Sequence, residues 1–178
     1  RALAAAQQIT PRPAFVINLQ GDAPLTPPIV ITRLIEEMIN NPNFKGVITP
    51  VHELSWEDLD RLREIKKKTP FSGTTVERYK EGPKASYALT FSKQIIPAIR
   101  DEDKLRKENI NSSPVTQHIG IYGFSFDILE RFVALPQNRL EKIEGLEQMR
   151  LIENDIPIFT VKVIASSGII HGGIDTPE

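Results

Sequence analysis

The sequence predicts an α/β layered domain with a mostly parallel central sheet and one antiparallel excursion. Short apolar runs typical of strands alternate with amphipathic helical segments toward both ends of the chain. Between them, residues 74–79 and 86–91 flank Gly82-Pro83, a pattern typical of a β-hairpin. Because such alternation places helices over the faces of a sheet, we expect residues 1–178 to form one layered domain.

The individual elements follow from local patterns. Residues 15–19 are a short apolar run and predict a buried strand, and a pair of prolines opens a helix over residues 27–40. Ser55 is placed to cap a helix over residues 56–68. The other expected elements are a helix at 1–9, strands at 47–51, 118–126 and 158–163, a mobile loop at 100–113, and helices at 126–135 and 140–154.

Composition excludes several classes of function. The chain has 178 residues and a net charge of −1, which does not favour a broadly basic nucleic-acid-binding surface. No stretch approaches the roughly 20 apolar residues that span a bilayer. There is no cysteine, which excludes disulfides, thiolate zinc sites and a cysteine nucleophile and is typical of a cytoplasmic protein.

Both ends of the sequence suggest a piece of a longer protein. The chain begins with Arg1 rather than Met, inside a helical segment that has no N-cap. Its last four residues, Asp175-Thr176-Pro177-Glu178, have the pattern of a helix start. The alternative is an engineered or processed terminus.

Two acids follow strands and are candidate metal ligands. The strand at 15–19 leads into Gln20, Gly21 and Asp22, and Asp175 follows the last strand after a glycine-containing loop. Ligands of layered α/β domains bind beyond the carboxyl ends of strands, where two carboxylates and phosphate oxygens suit Mg²⁺. The alternatives are a polar turn at Asp22 and an ordinary helix cap at Asp175.

Other polar residues could line a binding site. His118 and Tyr122 are four residues apart and share one face of an expected strand, and Lys93 and Arg100 offer cations for an anionic ligand. The alternatives are a histidine in the core or at the surface, and solvated charges. No phosphate-binding G-x-x-x-x-G-K-[ST] loop occurs, and the histidines do not have metal-ligand spacing.

Five motifs appear in order across nearly the whole chain. They are QGDAPL at 20–25, ALTFSK followed by IP at 88–97, HIGIYG at 118–123, LEKIEGLEQMR at 140–150 and GIDTPE at 173–178. Together they resemble the bacterial 3-deoxy-manno-octulosonate (Kdo) cytidylyltransferase family, the CMP-Kdo synthetases. The resemblance implies a nucleotide-diphospho-sugar-transferase-like, Rossmann-like fold with three layers.

The resemblance also implies an activity. Members couple CTP to Kdo, release pyrophosphate, require Mg²⁺, serve lipopolysaccharide biosynthesis and are usually homodimers. By matching position, Asp22 and Asp175 are the expected Mg²⁺ ligands, and Gln20 and Arg1 the expected nucleotide contacts. The expected sugar-binding residues are His118, Tyr122, Gln148, Glu147 and Arg100.

Departures from the family pattern leave two alternatives open. The family's N-terminal triphosphate-binding segment and C-terminal helix are absent from the sequence, so we expect this chain alone to be inactive. Ala23 replaces an acid beside the expected metal site, and residues 73–75 resemble a divergent branch. The alternatives are the same reaction on a nonulosonic acid, and a non-catalytic module that binds nucleotide or sugar or only dimerises.

Overall fold

Seven strands of the computed structural model form one sheet; the structure describes residues 1–21, 26–80 and 86–164. The strands are β1 (Phe15–Asn18), β2 (Val47–Glu53), β3 (Thr75–Arg78), β4 (Ala88–Ser92), β5 (Thr116–His118), β6 (Tyr122–Ser125) and β7 (Ile158–Lys162). The helices in these ranges are α1 (Ala2–Ala6), α2 (Pro28–Asn40), α3 (Trp56–Lys68), α4 (Glu102–Glu108), α5 (Phe126–Ala134), α6 (Arg139–Glu144) and α7 (Met149–Glu153). None of these helices is long and apolar enough to cross a membrane.

Helices cover both faces of the sheet, which confirms the expected α/β layered fold. On one face, α2 packs its buried residues Leu34 and Met38 against Ile48 of β2. On the opposite face, α5 and α7 pack against Val47 and Val51 of the same strand. Alternate residues of β2 therefore enter two separate cores, as the pleat of a strand requires.

The expectation of a mostly parallel sheet is wrong for the described strands. Only β2 and β7 pair in parallel, and the other strand pairs are antiparallel. Strands β1 and β2 do run in the same direction, but β6 lies between them in the opposite direction. Alternation of strands and helices along the sequence predicts parallel neighbours, and it does not show that an antiparallel strand lies between two parallel ones.

The expected strand at 118–126 is broken into β5 and β6, which pair in turn with the same edge of β2. Val51 pairs with His118 and Ile48 pairs with Gly123. Between these pairs, the two residues 49–50 of β2 lie opposite the four residues 119–122 of the returning segment, which runs from β5 into β6. This two-residue bulge lies opposite Pro50, which has no N–H to donate to a ladder.

The β3–β4 hairpin is confirmed and is also tied to β7. The Ser86 carbonyl accepts hydrogen bonds from the Thr160 N–H at 2.7 Å and from Thr160 Oγ1 at 2.6 Å. Tyr87 pairs with Phe159 in an isolated antiparallel bridge, and their rings meet edge to face at 5.4 Å. The sheet therefore curls so that the start of β4 reaches the outer edge of β7.

Helix ends follow the expected chemistry at some positions. The Ser55 hydroxyl accepts a hydrogen bond from the Asp58 N–H at 3.0 Å, which confirms this residue as the cap of α3. The single helix expected at 140–154 is two helices, because Gly145 adopts a left-handed conformation with φ of 64° and ends α6.

The charged segment 100–113 contains helix α4, so the expectation of a loop is wrong for that helix. The Glu102 carboxylate accepts hydrogen bonds from Arg63 of α3 at 2.7 and 2.8 Å and from Arg106 at 2.7 Å. These two guanidinium groups lower the pKa of Glu102 to about 2. Leu105 packs against the α3 cluster, the buried residues Leu54, Trp56, Leu59, Leu62 and Val115. The partner that fixes α4 is thus distant in the sequence.

A buried ion pair joins the helices on the α5–α7 face. Arg150 Nη2 lies 2.5 Å from Glu141 Oε1 and Nε lies 2.7 Å from Oε2, a bidentate arrangement. The guanidinium also stacks over the Phe132 ring of α5 at 4.7 Å. Arg150 therefore connects α5, α6 and α7 and holds the turn between the last two.

We expect Arg150→Met to lower the free energy of unfolding by about 3–5 kcal/mol, because Glu141 would keep a buried charge without its partner. Urea denaturation followed by circular dichroism measures this loss. Arg61→Met is the matched control, because Arg61 is half exposed and its ion pairs lie on the surface of α3. A surface ion pair contributes about 1 kcal/mol or less to the free energy of unfolding. Equal urea midpoints for the two variants would contradict the role of the buried pair.

Candidate active site

The candidate site lies where β1 ends beside the bulge. Asn18, the last residue of β1, pairs with Tyr122, the first residue of β6. Gln20 follows and is exposed, and a Cβ atom added to Gly120 would lie 3.4 Å from Gln20 Oε1. The structure thus brings together the end of β1 and the bulge that carries the histidine motif. Asp22 and Asp175 lie outside the described residues.

His118 and Tyr122 form part of a row of aromatic rings. The His118 ring meets Phe91 edge to face at 5.1 Å and lies 5.3 Å from the Tyr122 ring. Tyr122 continues the row to Phe124 at 6.0 Å. The expectation that the two rings share a face is confirmed, and the bulge brings them closer together than positions four apart in a continuous strand would be.

Both polar rings stay uncharged at neutral pH. Burial, with a smaller effect from the Lys93 charge, lowers the pKa of His118 to about 3. Burial raises the pKa of Tyr122, and the nearby negative charge of Glu147 raises it further. The site therefore presents a neutral imidazole and a neutral phenol, with Glu147 close enough to act on the phenol.

Lys93 contributes a positive charge beside His118, and its backbone is held from two sides. Its N–H donates to Glu144 Oε2 at 2.9 Å, and its carbonyl accepts from Lys66 Nζ at 2.7 Å. Ser92 Oγ also donates to Glu144, at 3.1 Å. Two contacts from outside β4 therefore fix the end of the strand from which Lys93 extends.

The turn between α6 and α7 carries two of the expected sugar-binding residues. Gln148 is buried and directly precedes α7, and Glu147 is exposed beside it. Gly145 ends α6 and so creates this turn, and the Arg150–Glu141 pair holds it. The assignment of Gln148 and Glu147 to sugar binding stays a prediction.

The structure gives less support to the expected binding roles of Arg1 and Arg100. Arg1 is exposed at the start of α1, which packs against α5 and β1. Arg100 is exposed in the turn before α4, next to Ile99, which packs against the α3 cluster. Their roles in nucleotide and sugar binding stay predictions.

Thr49 belongs to the site and was not expected from the sequence. Its Oγ1 lies 2.8 Å from His118 Nε2 and 2.8 Å from the Ile121 carbonyl oxygen. A threonine within a strand is ordinary, so no local signal distinguishes this one. Only the register between β2 and the bulge shows its contact with the histidine.

The described part of the site combines neutral hydrogen-bonding groups with one ammonium group. An imidazole, a phenol and an amide can bind several hydroxyl groups, and Lys93 can pair with a carboxylate or phosphate. This arrangement suits a polyhydroxylated, anionic ligand. Among residues 1–21, 26–80 and 86–164, no group of three or more His, Cys, Asp or Glu side chains could hold a metal ion.

We expect the buried, neutral His118 to make stability depend on pH. In the folded protein the ring takes up no second proton above about pH 3, whereas in the unfolded chain it takes one up below its ordinary pKa of 6.5. Stability therefore falls as pH drops through this window, by up to about 1.4 kcal/mol per pH unit. His118→Gln should flatten that part of the profile, measured by urea unfolding at several pH values.

Glu102→Gln serves as the control for this profile, because the Glu102 carboxyl has lower pKa values than the His118 ring. They are 4.5 against 6.5 in the unfolded chain and about 2 against about 3 in the folded protein. Its stabilising contribution is complete above pH 4.5 and is lost as pH falls toward 2. The control should therefore alter the profile below pH 4.5 and preserve the slope between 4.5 and 6.5. An unchanged slope in His118→Gln would show that His118 is not held neutral by burial.

Comparison with known proteins identifies the family of this chain. A 3-deoxy-manno-octulosonate cytidylyltransferase from Maricaulis maris is 39% identical over 178 residues, which is all of this chain and 64% of that protein. One from Thermodesulfovibrio yellowstonii is 36% identical over 165 residues, 93% of this chain and 57% of that protein. The chain thus spans less than two thirds of the length of these relatives.

A solved structure agrees with the sequence relatives. CMP:2-keto-3-deoxy-manno-octonic acid synthetase complexed with CTP has a TM-score of 0.72 and 28% sequence identity, covering 98% of this chain and 61% of that one. A family model described as Cytidylyltransferase matches residues 1–159. The chain therefore belongs to the cytidylyltransferase family.

Proposed function

We propose that the protein containing this chain couples CTP to Kdo, forming CMP-Kdo and pyrophosphate. The observation that carries the proposal is a site of neutral hydrogen-bonding side chains and one ammonium group in a chain of this family. Relatives named 3-deoxy-manno-octulosonate cytidylyltransferase match along the whole chain and support the choice of sugar.

The polar groups suit a sugar acid with several hydroxyl groups. His118, Tyr122 and Gln148 can exchange hydrogen bonds with hydroxyls without adding charge, and Lys93 can pair with the carboxylate. A hydrogen bond that a buried site makes to a substrate hydroxyl favours that substrate over an analogue without it. The arrangement therefore supports selection of the sugar as well as its binding.

In the proposed reaction, the anomeric hydroxyl oxygen of the sugar attacks the α-phosphorus of CTP. A new P–O bond forms, the hydroxyl proton passes to water, the bond from the α-phosphorus to the bridging β-phosphate oxygen breaks, and pyrophosphate leaves in line. His118 is a weak base with a pKa of about 3, and Tyr122 keeps its proton because its pKa is raised. These side chains therefore act by holding the hydroxyls in place, and positioning supplies their contribution to the rate.

We assign Mg²⁺ binding to Asp22 and Asp175. Strands β1, β2 and β7 run in the same direction, and the two acids follow β1 and β7 along the chain. Carboxylates together with phosphate oxygens are the donor set that Mg²⁺ prefers. When bound, the ion would neutralise charge on the triphosphate and on the leaving pyrophosphate. Ala23 leaves the site with one acid fewer than the family pattern has.

Gln20 and Arg1 are proposed nucleotide contacts, and Glu147 and Arg100 are proposed to assist in the sugar site. A homodimeric assembly, a cytoplasmic location and a role in lipopolysaccharide biosynthesis are further proposals that rest on the family resemblance. The lack of cysteine supports the location.

Pyrophosphate release tests the reaction and the sugar together. The protein from the complete reading frame is incubated with CTP, Mg²⁺ and either Kdo, an amino-Kdo analogue or neuraminate. We expect release with Kdo and no release without sugar. Release with neuraminate alone would identify a nonulosonic acid as the substrate. A folded protein that neither binds CTP nor releases pyrophosphate would instead be a non-catalytic module.

We expect Asp22→Asn to reduce turnover by about 100-fold or more while leaving the fold intact, since the proposed site would lose a charged ligand. Glu36→Gln is the control, because Glu36 is exposed on α2 and pairs only with Arg33 among the described residues. Circular dichroism checks the fold of both variants. Retained Mg²⁺-dependent turnover in Asp22→Asn would remove this residue from the metal site.

A further inference from the structure

The Thr49 hydroxyl lies inside the bulge and makes two short contacts. Its oxygen is 2.8 Å from the Ile121 carbonyl oxygen and 2.8 Å from His118 Nε2, and the Ile119 carbonyl oxygen is farther away at 3.4 Å. Thr49 is fully buried, so water does not compete for the hydroxyl proton. The one proton of this hydroxyl therefore has to be shared among fixed neighbours.

Counting protons assigns the donor in each bond. A carbonyl oxygen can only accept, and the Ile121 carbonyl oxygen at 2.8 Å is much nearer to Thr49 Oγ1 than the Ile119 carbonyl oxygen at 3.4 Å. The Thr49 proton therefore goes to the Ile121 carbonyl. His118 Nε2 must then carry a proton and donate it to Thr49 Oγ1. The opposite tautomer would take the hydroxyl proton away from this carbonyl and is disfavoured by about 10-fold or more.

The second ring nitrogen of His118, Nδ1, has no hydrogen-bond partner among the described residues. Among the described residues, the buried side-chain polar atoms without a hydrogen-bond partner are Arg78 Nε and Ser125 Oγ. His118 Nδ1 is not one of them although the hydrogen bond of the ring is made through Nε2, so Nδ1 is not completely enclosed. Nδ1 therefore keeps a lone pair that no described residue uses.

We propose that Thr49 is a positioning residue that fixes the His118 tautomer, so that Nδ1 acts as an acceptor and selects a hydroxyl group of the ligand. The part that concerns the ligand rests on the proposed function. Because the low pKa of His118 keeps the ring neutral, Nδ1 does not gain a proton at physiological pH. A ligand that presents a donor at this point is bound, and one that presents an ether or carbonyl oxygen there is rejected.

Nitrogen-15 NMR of histidine-labelled protein tests the tautomer without any substrate. The full chain is compared with Thr49→Val, which removes the hydroxyl at similar volume, and Thr49→Ser, which keeps it. We expect Nε2 protonated and Nδ1 bare in the parent and in Thr49→Ser, and a mixture of tautomers in Thr49→Val. His118→Gln assigns the signal among the three histidines. A protonated Nδ1 in the parent overturns the proposal, even where Thr49→Val fails to fold.

Kinetics with the protein from the complete reading frame then test the selective role. We expect Thr49→Val to raise KM for the sugar acid about 2- to 10-fold, the effect of one hydrogen bond, with KM for CTP unchanged. Thr49→Ser should restore the parent value. Equal losses for both substrates would indicate a merely structural role and overturn the proposal. If the NMR result holds and no variant or parent releases pyrophosphate, the proposed function fails and the tautomer assignment stands.

Discussion

The register between β2 and the returning segment β5–β6 constrains the rest of the structure. On one side of the bulge Val51 pairs with His118, and on the other Ile48 pairs with Gly123. A Cβ atom at position 123 would lie 2.2 Å from Met38 Cε of α2, so a residue larger than glycine there would force the Met38 side chain to move. The same register therefore seats α2 on one face and directs the aromatic row to the other.

The buried polar side chains of the site are uncharged and are held in a fixed geometry. Burial keeps the His118 and Tyr122 rings neutral, whereas Lys93 and Glu147 supply charge at the edge of the site. A neutral group in a buried site gives a hydrogen bond of defined direction, and it does not need a counter-ion. Neutral hydrogen-bonding groups in the centre and charges at the edge are consistent with a ligand that has many hydroxyls and few ionised groups.

The sequence predicted the parts of the fold that depend on neighbouring residues. The Ser55 cap, the β3–β4 hairpin and the shared face of His118 and Tyr122 follow from short sequence spacings or from turn chemistry, whereas the bulge that brings the two rings into contact does not. Helix α4 and the Thr49 contact depend on partners 39 and 69 residues away, so no local pattern shows them. The break after α6 depended on Gly145, a signal present in the sequence that helical periodicity on both sides obscured.

The link between Ser86 and Thr160 has a consequence for how copies of this protein can meet. A strand with an unused edge offers its backbone as a template for another chain, which leads to domain swapping or aggregation. At Phe159 and Thr160, β7 has β2 on one side and, on the other, Ser86 and Tyr87, which lead into β4. That part of the strand is thus closed to recruitment by a second molecule, and association there has to proceed through side-chain surfaces.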